Sequence, residues 1–232
     1  MRRFTFEAPD GDVAALEFGD PAERLAAVWL HATGFNAMTY QSILAPLGLR
    51  TKDQAVDLRG HGRSTLPAKP STLKTWRTYR DDVIAYLDRE SPTKKVVLGG
   101  HSMGGTVALL VAGARPEKVA GLVLADPVIL TPRYYTYMHL FPFGGGSHFM
   151  ARQARKRRAE FGSTDEIKEK YTGRGAFKTW RDPFLGDYII DGFDRIDENG
   201  PDSEDQTWRL LCEPKWEAAT FAAQRNRPWN AL

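Results

Sequence analysis

The chain has 232 residues, 42% of them hydrophobic, which suits one sizeable core with an appendage. Its formal net charge of +3 makes no electrostatic case for a nucleic-acid partner. Its single cysteine, Cys212, excludes an internal disulfide. No uncharged apolar run is long enough to span a bilayer, and Met1-Arg2-Arg3 leads into no secretory apolar segment. These features predict a soluble protein of a reducing, cytoplasmic compartment, with Cys212 a small buried hydrophobe.

Residues 2–8 and 12–18 flank Pro9-Asp10-Gly11 and predict a β-hairpin, with Phe4, Phe6 and Ala8 alternating along its first strand. Residues 26–31, almost wholly apolar, predict a central strand. That strand runs into Ala32-Thr33-Gly34-Phe35-Asn36 and then a helix over residues 38–47. Residues 54–57 predict a further strand ending in the turn Leu58-Arg59-Gly60-His61-Gly62-Arg63-Ser64. An amphipathic helix over 73–89 follows, with Val83, Ile84 and Leu87 on its apolar side.

Lys95-Val96-Val97-Leu98 is too short for a helix and β-branched enough for a buried parallel strand. It leads into Gly100-His101-Ser102-Met103-Gly104 and then into the apolar helical run 106–111. Strand, Gly-x-Ser-x-Gly, helix is the context of a nucleophile elbow. Small residues at Gly100 and Gly104 let strand and helix pass closely. Ser102 then projects from the top of a sheet at a helix N-terminus, where unpaired N–H groups favour developing negative charge. The bland alternative is a glycine-rich turn with an incidental serine. Residues 119–125 form another apolar strand, stopped by Asp126-Pro127. Alternating helices and continuously apolar strands predict an α/β fold with a mostly parallel sheet covered on both faces.

The pattern changes from Val128. Tyr134, Tyr135, Tyr137, Phe141, Phe143 and Phe149, broken by Gly144-Gly145-Gly146, suit a cap over an apolar substrate pocket or ordinary cap packing. No Gly-Lys-Ser/Thr follows the glycines, so they are no phosphate loop. Arg152, Arg155, Lys156, Arg157 and Arg158 read as a solvated basic face. Residues 191–205 read as a solvated acidic loop whose aspartate spacing fits no calcium site. Pro214 opens a last helix over residues 215–224. No cofactor or metal is expected.

Three segments carry a resemblance. His31-Ala32-Thr33-Gly34-Phe35-Asn36, Asp57-Leu58-Arg59-Gly60-His61-Gly62-Arg63-Ser64 and Gly100-His101-Ser102-Met103-Gly104-Gly105 resemble, in order and spacing, successive signatures of the α/β-hydrolase family. The resemblance covers residues 1 to about 127 and implies an eight-stranded, mostly parallel sheet with a helical cap inserted after the sixth strand. It divides the chain into a core, 1–127, and a cap or lid region, 128–232. It implies hydrolysis of an ester or related acyl bond by Ser102, with the backbone N–H groups of Met103 and Phe35 forming the oxyanion hole and Gly34 the fallback donor. Gly-His-Ser-Met-Gly-Gly resembles the elbow of monoacylglycerol lipases but does not fix the substrate, and Ser102 disfavours the aspartate-nucleophile relatives. His31, His61 and Asp57 read as loop-stabilising residues, Asp57 accepting backbone N–H bonds.

The chain also departs from that pattern. After Ser102 the remaining histidines are His139 and His148, both in the expected cap. Residues 188–190 and 210–212 are too short for two further long strands, so the last two strands, and the usual acid and histidine, are expected to be missing. Asp126, ending the sixth strand, is the tentative acid, against a cap-hinge carboxylate. His148 follows glycines but comes early for a catalytic turn. The leading reading is a serine esterase or lipase-like hydrolase acting on a small, apolar ester-type molecule, in shortened form. A non-catalytic binding or regulatory protein, and a fragment of a longer gene product, stand as alternatives. An early stop would leave residues 122–124 at the sheet edge, open to self-association.

Overall fold

The apolar runs pair as one six-stranded sheet in a computed structural model that describes residues 1–140, 146–196 and 207–231, without the side chains of Met138, His139, Ser147 and His148. Strands β1 (Arg2–Ala8) and β2 (Gly11–Phe18) form the expected hairpin. β2 then pairs antiparallel with β4 (Lys52–Val56). Strand β3 (Leu25–Leu30) lies parallel between β4 and β5 (Val96–His101), and β6 (Val119–Ala125) lies parallel to β5. The order is β1-β2-β4-β3-β5-β6. This is the mostly parallel α/β sheet that the strand pattern predicts.

Period-two alternation sorts the side chains to two faces. One face buries Val13, Val28, Val56 and Leu98 under α2 (Arg77–Glu90) and α3 (Met103–Ala114). The other buries Leu16, Phe18 and Ala55 under the 3₁₀ turn Ala37–Tyr40 and the short helix α1 (Gln41–Leu44). Two helices differ from their expected bounds for local reasons. Asn36 caps the 3₁₀ turn by accepting Thr39 N–H at 2.9 Å, and Pro46 follows α1, where a continuing helix would need its N–H. Helix α2 begins at Arg77 because Thr75 and Trp76 instead bond Asn226 Oδ1, at 2.9 and 2.7 Å.

Beyond β6 come α4 (Pro132–Leu140), α5 (Gly146–Arg155), β7 (Glu160–Phe161), α6 (Thr164–Tyr171), α7 (Phe184–Gly192), β8 (Phe193–Ile196), β9 (Thr207–Leu210) and α8 (Pro214–Ala222). The three short strands form a second antiparallel sheet, ordered β7-β9-β8. Residues 188–190 are helical rather than extended. Phe161, Ile167, Phe177, Leu185, Tyr188, Phe193 and Leu210 form a satellite core against Phe35. The acidic loop expected from residue 191 is corrected at its start. Asp191 is 1% exposed and binds both Arg3 and Arg63, so two guanidinium groups compensate its buried charge. Residues 197–205 of that stretch, and Phe141, Phe143, Gly144 and Gly145, lie outside the described residues.

The main core draws on residues from both sides of position 127. Cys212, Trp216 and Ala223 belong to the main core, where burial pushes the Cys212 thiol well up. Trp76 Nε1 donates to Thr220 O at 2.9 Å, and the Tyr79 hydroxyl lies 2.7 Å from Thr220 Oγ1. Helix α8 therefore packs as part of the body.

Among the described residues β6 is an edge strand, with Leu122 37% and Val123 53% exposed. A central-type apolar strand with open N–H and C=O groups is a template for pairing. The chain is predicted to run above its 26.0 kDa monomer mass in size-exclusion chromatography with light scattering. Val123→Lys should shift it toward the monomer; an unchanged elution mass would refute edge pairing.

Candidate active site

Strand β5 meets helix α3 at Ser102, which has φ 52° and ψ −115°. A non-glycine residue there is strained by roughly 1–3 kcal/mol, and persists only where its surroundings over-determine it. The determinants are close contacts. A methyl on Gly100 would overlap the backbone of Gly104, and one on Gly104 the carbonyls of Leu30 and His31. Ser102 N–H donates to Ala125 O on β6 at 2.9 Å, and Ser102 O accepts Thr106 N–H at 3.1 Å. Buried Thr106 also ties the chain beyond β6 to the elbow, its hydroxyl accepting Val128 N–H at 2.9 Å.

The residues expected around Ser102 divide into those the fold brings to it and those it commits elsewhere. Met103 is the first residue of α3, a position whose N–H has no intrahelical acceptor. Phe35 is different: its N–H donates to Ala32 O at 3.1 Å, closing the loop as a turn. The donor expected there is therefore engaged. The N–H of Gly34, which has φ +77°, makes no hydrogen bond among the described residues.

No hydrogen bond of the Ser102 hydroxyl is present among the described residues. His31 is fully buried and spent on structure, its Nε2 accepting Leu58 N–H at 2.9 Å and its Nδ1 lying 2.8 Å from Ala32 O. Burial, with His61 beside it, holds its imidazole well below the usual histidine range. His61 bonds Arg59 O at 3.0 Å, and burial pushes it down to about 4. His101 lies 2.9 Å from the Tyr40 hydroxyl, which accepts Ala32 N–H at 3.1 Å. Burial lowers the His101 pKa and Asp126, exposed at φ 45°, partly opposes that shift, but Asp126 bonds no described imidazole. The tentative acid thus has no described histidine to orient. The side chains of His139 and His148 lie outside the described residues.

A cleft of about 360 Å³ opens beside the elbow, lined by Tyr40, Ile43, His101, Trp180, Arg181 and Phe184 among others. Its wall is mainly aromatic and aliphatic. The Phe35 ring borders Trp180, at 5.1 Å between centroids, and His101, at 6.2 Å.

One side-chain group was not legible in the sequence. Arg157, from the expected basic face, is mostly buried. It bonds Glu217 at 2.5 Å, Tyr171 Oη at 2.9 Å and Tyr188 Oη at 2.8 Å. Its neighbours Arg152, Arg155 and Lys156 are exposed as expected. Asp57 behaves as expected of a turn-fixing carboxylate, accepting Ala37 N–H at 2.7 Å and Arg63 N–H at 2.9 Å. Burial, reinforced by Asp191, nonetheless pushes its carboxyl up to about 7 against those hydrogen bonds and Arg3.

The family model described as serine aminopeptidase, S33, matches residues 28–168, more than half of the chain. The chain belongs to this family of α/β-hydrolases. Human monoglyceride lipase is 34% identical over 104 residues, 43% of this chain and 34% of that protein. The Mycobacterium tuberculosis esterase Rv0045c is 32% identical over 123 residues, 50% of this chain and 37% of the esterase. The chain thus spans little more than a third of these relatives. A hydrolase-titled structure from Rickettsia typhi superposes with a TM-score of 0.72 at 15% identity, over 100% of this chain and 77% of that one. That likeness shows the fold. Among the described residues of this S33 family member, no group of three His, Cys, Asp or Glu is placed to hold a metal, and no helix is long and apolar enough to cross a membrane.

The buried carboxyl of Asp57 yields a pH prediction. In the unfolded chain it ionises near its ordinary 3.8, while the folded state keeps it protonated to about 7. A raised folded pKa stabilises at low pH, and that stability is lost as pH rises through this window. Asp57→Asn does not titrate. Wild type should therefore lose about 1.4 kcal/mol per pH unit relative to Asp57→Asn between about pH 4 and 7, and nothing more above. Urea midpoints of both proteins across that range check it; a constant difference would refute it.

Proposed function

We propose that this chain is a serine hydrolase of ester or related acyl bonds, with Ser102 as its nucleophile. The observation that carries the reading is the left-handed backbone of Ser102 at the strand–helix junction, a strain that an incidental serine would not need. Attack by Ser102 Oγ on an acyl carbonyl forms a tetrahedral oxyanion, held by the N–H groups of Met103 and Gly34. Collapse breaks the acyl–oxygen bond, the serine proton passing through solvent to the departing alcohol, and leaves an acyl-serine that water hydrolyses to the acid and free Ser102. The N-terminal dipole of α3 favours the oxyanion. The apolar lining of the cleft beside His101 supports a small apolar acyl or alcohol group. Relatives named monoglyceride lipase and esterase support ester chemistry.

One observation favours a second reading, a binding protein that keeps the pocket without turnover. No base bonds the Ser102 hydroxyl among the described residues, and an unactivated serine is a weak nucleophile. Intact-mass labelling with a fluorophosphonate separates the two. Slow labelling that Ser102→Ala abolishes is expected, because donors and binding alone retain roughly 10³–10⁴-fold catalysis over water. Rapid stoichiometric labelling would reveal a base, which His139→Ala and His148→Ala would identify. Wild type that never labels, yet binds short aliphatic esters in the cleft, would establish the binding reading.

A further inference from the structure

The loop over residues 32–36 is anchored at both ends by hydrogen bonds. At one end Ala32 N–H reaches the Tyr40 hydroxyl. At the other, Asn36 Nδ2 donates to Tyr188 O at 3.0 Å, and Ala37 N–H donates to Asp57. Between them, Thr33 and Gly34 make no hydrogen bond among the described residues, although Thr33 is buried. What faces Gly34 is a charged pair from two distant elements. A methyl built on Gly34 would lie 2.5 Å from Glu217 Oε1 on α8 and 3.2 Å from Arg157 Nη1 just beyond α5. Glu217 is 6% exposed and bonds Arg157 through Oε2. Two tyrosine hydroxyls take up the other guanidinium nitrogen, which fixes Arg157 in place.

We propose that Arg157 and Glu217 are positioning residues for the oxyanion loop, Glu217 seating the Gly34 peptide and Arg157 cancelling the carboxylate charge beside it. This rests on the serine-hydrolase reading and adds a requirement to it. An uncompensated carboxylate within a few ångströms of a forming oxyanion opposes the charge that the donors stabilise. The pair must therefore be neutral as a unit, rather than either partner being needed for itself. Substrate binds before that charge develops, so the penalty falls on kcat and spares KM.

The test is a charge-neutralising cycle, read with p-nitrophenyl butyrate and with hydrogen exchange of the peptide covering 31–36. Arg157→Met strands the carboxylate. It should lower kcat by about tenfold or more near pH 8 with KM within about twofold. The double variant Arg157→Met/Glu217→Gln is neutral again and should restore kcat to within about threefold of wild type. Equal loss in the single and double variants, both folded by circular dichroism, would overturn the proposal and leave the pair a packing element. Should Arg157→Met fail to fold, Arg157→Lys keeps the charge and must retain kcat within about threefold. Turnover that survives Ser102→Ala in the wild-type background would defeat the serine-hydrolase reading instead. The exchange data then decide the positioning claim alone: Arg157→Met that leaves 31–36 as protected as wild type overturns it.

Discussion

Helix α3 touches strands β3 and β5 with no side chain between them, and the rest of the molecule is arranged around that contact. Gly104 lies against the carbonyls of Leu30 and His31, and Gly100 against the backbone of Gly104. Such an approach is open only to residues without Cβ, and it forces the intervening Ser102 into the left-handed region. The strain is sustained because β5 is held on both sides, by β3 and β6, and because the buried α3 cannot move without opening the core. The same contact brings the end of β3, and hence loop 32–36, alongside the N-terminus of α3. One packing event sets Ser102, the N-terminus of α3 and loop 32–36.

The legible part of the fold is the part written in local pattern. Residues 119–125 are continuously apolar and form β6 over those seven positions, and the hairpin, α2 and α8 lie within a few residues of expectation. Gly-His-Ser-Met-Gly was readable because the chemistry of a tight strand–helix turn is confined to five neighbours. Arg157 was misread for the opposite reason. Its partners Tyr171, Tyr188 and Glu217 lie 14, 31 and 60 residues away, and nothing in Arg-Lys-Arg-Arg marks which cation turns inward. Asp191 was lost the same way, since Arg3 stands 188 residues before it. The strands β7, β8 and β9 are two to four residues long, too short to show a period.

Those unreadable ion pairs share a function in the architecture. Arg3 and Arg63 of the main sheet region meet Asp191 at the end of α7, and Glu217 of α8 meets Arg157 beyond α5. The first joins the chain after β6 to the main sheet region, and the second joins α8 to the chain beyond α5. Buried pairs of this kind add little net stability, because desolvating two charges costs about what their attraction returns. Breaking one is costly, since a lone buried charge remains. Such pairs select an arrangement: satellite core and loop must dock in one register, or leave charges unpaired.

That register bears on how a base could reach Ser102. His31 and His61 are fully buried, their rings 4.9 Å apart. Recruiting His31 would break its bond to Leu58 N–H and strand that buried donor, at a cost of about 1–3 kcal/mol before any gain in catalysis. Its pKa, already lowered by burial and by its neighbour, would make the imidazolium intermediate dearer still. His101 is the exception. It is partly exposed and borders the apolar cleft, and although burial lowers its pKa, Asp126 opposes that shift. Yet its Nδ1 is held by Tyr40, whose hydroxyl also secures Ala32 at the start of loop 32–36. Turning His101 toward Ser102 would break its bond to Tyr40, so the network that anchors loop 32–36 also holds that imidazole in place.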